Sequence, residues 1–432
     1  MSKRLACLIV LCFALLYSGC AGTPEDPNTL TVWHWMTDRH DVLVQLAEQY
    51  KAQTGITVDF QLFAPSDIYS QKVIAAAQAH ILPDIFGILD KKSVFADFIK
   101  GGFVANLKPY FEENGREWEN SFFEKALEGN RFSANNAYGV AEGIYAAPLD
   151  VMNIQMVYNK KLLEKAGVVS PPKTFDEFLR AAEALNKIGI TPFVSGWAEL
   201  WLLDCFASNY AFNIMGIDKI MATYRGEVLY TDPDWVKVFE IFSVMAQKNI
   251  LASGIVTKSN KFAEQDFALE RAAFAFNGSW CVNVYHGMNP DLDYGVMLPP
   301  KISDGHPLMI WGGAGGSLVV NETSPRKEKA VAFLKWLTAQ DQQAVLSEAT
   351  RNLPSNRNAL ADLPKELADF GQAMDVVTHQ TVWPIEEDAV VKEKFTKGLQ
   401  SIIIGERTPQ EVAREVQEIK KRQMERAIRR AQ

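Results

Sequence analysis

Ile56, Val58, Phe60 and Leu62 alternate with Thr57, Asp59 and Gln61, the period of a strand with one buried face. Ahead of them Leu43, Leu46, Ala47 and Tyr50 recur at helical spacing over 42–54, and Gly55 supplies a stop. Leu30 and Val32 alternate with polar neighbours over 29–35, which predicts another strand. A helix through Val73 and Ala77 follows, and the apolar run at 84–89 reads as a third strand. Strand, helix, strand, helix, strand predicts a parallel sheet covered by helices. Ligands of such sheets sit beyond the carboxyl ends of the strands, which marks Trp35 and Asp90 as candidates.

Downstream the helical period dominates. Thr174 and Glu177 form a capping box that opens a helix to about residue 187. The aromatic-rich segment 191–216 reads as a loop entering a helix, and further elements are expected near 234–248 and 262–277. Ser324 and Pro325 predict an N-cap and first turn for a helix faced by Ala330, Phe333, Leu334 and Leu337. Thr408, Pro409 and Glu411 repeat the device for the last helix, faced by Val412, Val416 and Ile419. Its end carries Lys420, Lys421, Arg422, Arg426, Arg429 and Arg430, read as solvated cations suited to the negative end of the helix dipole.

Composition adds three constraints. A chain of 432 residues is long enough for two domains, and a formal charge of -8 speaks against a phosphate-backbone partner. Lys3 and Arg4 precede an apolar core from Leu5 to Tyr17, shorter than a membrane span. It ends Tyr17-Ser18-Gly19-Cys20, which resembles a bacterial lipoprotein signal with Tyr where Leu is usual. That resemblance implies cleavage before Cys20, lipid on its sulfur and a tether over 20–28; an ordinary secretory leader is the alternative. Cys205 and Cys281 then remain, expected as buried free thiols.

Candidate chemistry is mostly excluded. The six histidines show no i, i+4 pair and there is no CxxC, so neither metal nor cofactor is expected. No G-x-S-x-G elbow is present, and the 52 acidic residues offer no ranked carboxylate couple. The glycine run at 312–316 lacks the Lys-Ser/Thr of a phosphate loop and opens into a strand-prone stretch. Ten tryptophans remain. Trp118, Trp235 and Trp336 sit on helical segments and read as packing residues, whereas Trp35, Trp197, Trp280, Trp311 and Trp383 lie at strand ends or in Gly/Pro-rich loops. An indole face suits the C–H face of a sugar ring, whose hydroxyls need carboxylates and amides nearby.

The order F-N-G-S-W at 276–280, Y-G-V-M-L-P at 294–299 and W-G-G-A-G at 311–315 resembles the extracellular solute-binding proteins, family 1, of sugar ABC importers. L-T-V-W-H-W at 30–35, P-D-I-F at 83–86, V-Y-N-K-K-L-L-E-K-A-G at 157–167 and N-L-P-S at 352–355 extend the likeness through the chain in family order. The resemblance implies an α/β periplasmic-binding-protein fold of two lobes, each a mainly parallel sheet flanked by helices, joined by a multi-strand hinge. It implies one lobe from 29–146 plus 300–350 and another from 147–299 plus 351–432, with crossings at 145–158 and 294–300. Carried over position by position, it marks Trp35, Asp90, Asn153, Trp197, Glu199, Trp280, Trp311, Gly312 and Gly313 as ligand-binding, with Asp38 and Arg351 as lesser candidates. The expected function is capture of a mono- or oligosaccharide by hinge closure and delivery to an ABC permease, by a monomer held to the membrane through its lipid alone. No catalytic residue is expected. A secreted carbohydrate-active enzyme is the competing reading; a polyamine, ferric or anion carrier is a third.

Overall fold

The computed structural model describes residues 26–37, 39–64, 66–88, 92–360, 363–379 and 387–431. The leader, Cys20, Asp38, Asp90 and Trp383 therefore lie outside the described residues. Among the described residues there are fourteen strands: β1 (Thr29–His34), β2 (Thr57–Leu62), β3 (Ile85–Gly87), β4 (Arg131–Phe132), β5 (Gly143–Ile144), β6 (Ala147–Pro148) and β7 (Asp150–Asn159), then β8 (Thr191–Val194), β9 (Ala272–Gly278), β10 (Tyr294–Met297), β11 (Ile310–Ala314), β12 (Ser317–Val320), β13 (Leu353–Pro354) and β14 (Val377–His379). They form two main sheets, one ordered β2-β1-β3-β12-β6 and the other β14-β11-β7-β9-β8, with β10 and β13 also on β7; β4 and β5 make a separate ribbon.

The alternating runs of the N-terminal stretch pair as expected, β1 beside β2 and β3 in parallel, with Val32 between Phe60 and Ile85. Leu30, Val32 and Ile85 are buried beneath Leu43, Leu46 and Ala47 of the helix His40–Thr54, and Gly55 ends that helix in the left-handed conformation. Burying each large aliphatic side chain contributes about 1.5–3 kcal/mol. Ala330, Val331, Phe333, Leu334 and Leu337 of the helix Lys327–Leu337 join the same core. That helix begins later than the Ser324-Pro325 signal predicts: the Ser324 hydroxyl accepts from Arg326 N–H and donates to Asp84 in a turn that precedes the helix.

In the second sheet β7 is the spine, with eight of its ten residues buried. It runs antiparallel to β9, β10, β11 and β13, so the sheets are mixed rather than mainly parallel: strands returning from long excursions enter opposite to β7. The capping box at Thr174 and Glu177 forms and opens the helix Phe175–Lys187. The segment read as a loop holds β8 and a 25-residue helix, Leu200–Tyr224, broken at Gly216. Its buried residues surround the axis, so it shows no apolar stripe for periodicity to detect. Lys420 departs from the solvated reading: it is buried and bonds Glu387 at 2.6 Å, and Glu387 accepts from the Tyr230 hydroxyl at 2.8 Å. Cys205 and Cys281 are free and buried, and burial pushes both thiols well above the ordinary range.

The chain passes between the sheets three times, where β6 meets β7, where β11 meets β12 and between β12 and β13, rather than at 294–300, where β10 simply adds to β7. The first two passages lie side by side. Leu149 N–H donates to the Gly316 carbonyl at 2.8 Å, and Gly315 N–H donates to the Asp150 carbonyl at 3.0 Å. The Asp150 carboxylate accepts from Gly316 N–H and pairs with the Arg39 guanidinium, which follows β1. Asp150 is 2% exposed. Removing one member of a buried ion pair strands the other, so Asp150→Ala should lower unfolding free energy by about 3 kcal/mol or more in urea titration. An unchanged midpoint would show that the carboxylate does not hold the passages together.

Candidate functional site

Two tryptophans rest on bare backbone at strand ends. A Cβ on Gly278, the last residue of β9, would lie 1.9 Å from the Trp280 ring. A Cβ on Gly87, the last residue of β3, would lie 2.2 Å from Trp35. Glycine at both positions lets an indole lie flat against the main chain. Trp35 also packs against Tyr69 at 5.3 Å between ring centroids, and Gly87 N–H donates to the Tyr69 hydroxyl at 2.9 Å.

Trp280 anchors a polar cluster in the larger sheet. Its Nε1 donates to Glu264 Oε1 at 3.2 Å, and the same oxygen accepts from Asn260 Nδ2 and Asn277 Nδ2 at 2.9 Å each. Asn260 N–H donates to Glu199 Oε1 at 2.7 Å, while Glu199 Oε2 accepts from Trp201 Nε1 at 3.1 Å. The Trp201 and Trp280 rings meet at 5.9 Å and 51°, forming an indole corner, and Trp201 is 40% exposed. Three elements converge here. Glu199 and Trp201 sit at the start of the helix Leu200–Tyr224; Asn260 and Glu264, one turn apart, face the site from the helix Asn260–Ala268; Asn277 and Gly278 close β9. Glu264 is 7% exposed. Burial raises its carboxyl pKa, against the lowering effect of its three donors, and the Glu199 charge adds to the rise.

Of the residues marked in sequence, Glu199 and Trp280 come together. Trp35 belongs to the other sheet. Trp311 is half-buried on β11, the strand against which the helix Leu200–Tyr224 packs. Gly312 and Gly313 are buried strand residues: a Cβ at Gly312 would meet the Met152 carbonyl at 2.5 Å, and Gly313 holds a φ of 142°. Two assignments need correction. Trp197 is fully buried among Phe193, Phe206 and Phe242, with no face left for a ligand, because its loop tucks under the helix it precedes. Asn153 is also fully buried, donating to the Phe370 carbonyl at 2.8 Å and accepting from Gln155. Arg351 ends the helix Gln340–Thr350 in the left-handed conformation. Trp201, Asn260, Glu264 and Asn277 were not marked; the second Trp of W-A-E-L-W and the four-residue spacing of Asn260 and Glu264 were the available signals.

A separate open cavity of about 950 Å³ lies among Lys108, Arg116, Arg131 and Arg357. Its charges are already answered: Lys108 by Glu142 at 2.6 Å, Arg116 by Glu112 at 3.6 Å, Arg131 by Glu119 at 2.8 Å, and Arg357 by the Phe122 carbonyl. Three of its four cations are neutralised by carboxylates and Arg357 is tied to main chain, and the indole corner remains the better site. Among the described residues no group of three or more His, Cys, Asp and Glu could hold a metal ion, and no helix is long and apolar enough to cross a membrane.

The profile of the bacterial extracellular solute-binding proteins matches residues 36–344. The chain belongs to that family. This solute-binding protein is 23% identical to a diacetylchitobiose-binding protein of Streptomyces coelicolor over 96% of its own length and 97% of the relative's. It is 24% identical to a multiple sugar-binding protein of Streptococcus mutans, of which it spans 59%. A solved chitin oligosaccharide-binding protein superposes with a TM-score of 0.73 at 21% identity, covering 91% of this chain and 98% of that one. The fold is thus the two-lobed periplasmic-binding type, and the family consists of substrate-binding proteins, not enzymes.

Because the folded-state pKa of Glu264 is raised, its stability contribution is full below the ordinary value of 4.5 and is lost as pH rises through the shifted one. Glu264→Gln cannot titrate. Its stability relative to wild type should therefore improve between pH 4 and pH 7, read by thermal unfolding at both. A difference independent of pH would mean that Glu264 is not desolvated.

Proposed function

We propose that this protein captures a sugar, an oligosaccharide in the fuller reading, between its two lobes and hands it to an ABC permease. The observation that carries this is the glycine-seated Trp280 tilted 51° against Trp201, beside hydrogen-bonded Glu199 and Glu264. Half an indole face covered by a sugar buries roughly 100 Å², worth roughly 2.5 kcal/mol, and several such contacts outweigh the cost of association. In this reading the lobe built on β1 to β3, β6 and β12 supplies Trp35 and Asp90. The lobe built on β7 to β11 with β13 and β14 supplies Glu199, Trp280 and Trp311. The paired passages at Leu149–Asp150 and Gly315–Gly316 act as the hinge. The ligand selects the closed form by touching both lobes. The protein works as a monomer outside the cytoplasmic membrane, anchored by lipid at Cys20; multi-chain acylation gives stable attachment.

Tryptophan fluorescence titrated with a panel of oligosaccharides should show saturable binding with the ligand recovered uncleaved. Trp280→Ala should lose it while unfolding at the wild-type temperature; normal binding by that variant would remove Trp280 from the site. Separately, Cys20→Ser should move the protein from the membrane to the soluble fraction, and an unchanged distribution would end the lipid-anchor reading.

A further inference from the structure

Resting on that reading, we propose that the ligand unit seated at the Trp201–Trp280 corner carries a protonated amine, which makes the cargo an amino-sugar oligomer with free amines. The argument is an inventory of donors and acceptors. Every side-chain donor of the corner is consumed internally: Trp201 Nε1 by Glu199, Trp280 Nε1 by Glu264, and the Asn260 and Asn277 amides by Glu264. What remains open is acceptors. All three donors to Glu264 reach Oε1, and Oε2 accepts no hydrogen bond from the protein and faces the little solvent that reaches this residue. Asn260 Oδ1 is buried and likewise accepts none.

Charge points the same way. Among the described residues neither Glu199 nor Glu264 is in an ion pair, and Asn260 bridges them. Lys258, two residues before Asn260, gives its charge to Asp266 at 2.8 Å, and Arg271 pairs with Asp266 as well. A carboxylate held away from water without a cation is costly, and that cost is relieved by a ligand that brings positive charge. An ammonium supplies three donors and a charge where a hydroxyl supplies one dipole. The exposed Trp201 face attracts the same cation through its ring quadrupole. An N-acetylated amine is matched poorly: it has lost the charge, and its carbonyl needs a donor where none is free.

The test is calorimetric titration of the purified mature chain at pH 6 with glucosamine oligomers, their N-acetylated counterparts of equal length, cello-oligosaccharides and spermidine. Glucosamine oligomers should bind about tenfold or more tighter than either neutral series, as expected for a charge-assisted contact. Glu264→Gln should bring that ratio close to one whatever its absolute affinities, and Glu199→Gln serves if the first variant unfolds early. Neutral or N-acetylated oligomers binding as well as the free amine would overturn this inference and leave the sugar-capture reading intact. No binding to any of these would overturn this inference alone, and spermidine binding without any saccharide would overturn both.

Discussion

The arrangement depends on how two of the three passages of backbone between the sheets meet. Main-chain N–H and C=O groups leaving a sheet lose their ladder partners, and here the two passages supply each other's. Leu149 pairs with Gly316 and Gly315 with Asp150, and the Asp150 side chain adds Gly316 and Arg39. A Cβ at Gly315 would lie 2.7 Å from that carboxylate, so only glycine lets the second passage come so near the first. Each sheet keeps its own core.

Position then follows from topology. Trp35 leaves β1 and lies on the end of β3; Trp280 leaves β9 and lies on that strand's own last residue. Each ring is set by a glycine that removes the atom which would push it off. The carboxylates are fixed differently, by a network in which Asn260 faces Glu199 through its backbone and Glu264 through its side chain. A ligand would find the polar groups already in place, with little side-chain freedom left to lose.

Strand and helix identity was legible where one face was buried and the other wet, as in β1, β2 and the helix His40–Thr54. Periodicity failed where burial was all round, as in Leu200–Tyr224, and it could not tell β10, which stays within one sheet, from a strand that crosses. Caps were read correctly at Thr174 and Thr408, whose partners are local, and misread at Ser324, whose hydroxyl is claimed by Asp84 from 240 positions away. The same division runs through the site. Family-like motifs drew the eye to strand ends, which found Trp280 and Glu199. They could not say that Trp197 would turn inward while Trp201, four residues on, would stay half-exposed, because that choice is made by the Phe193, Phe206 and Phe242 pocket.

Beyond residue 20 the sequence carries only two cysteines, and both are sealed inside cores with their thiols held protonated. A chain built this way has no pairing to find between these two thiols and offers oxidants neither of them to attack. It also leaves a silent background for chemistry added by hand: a dye placed through one engineered thiol on each half would report their separation without competition from native sulfur.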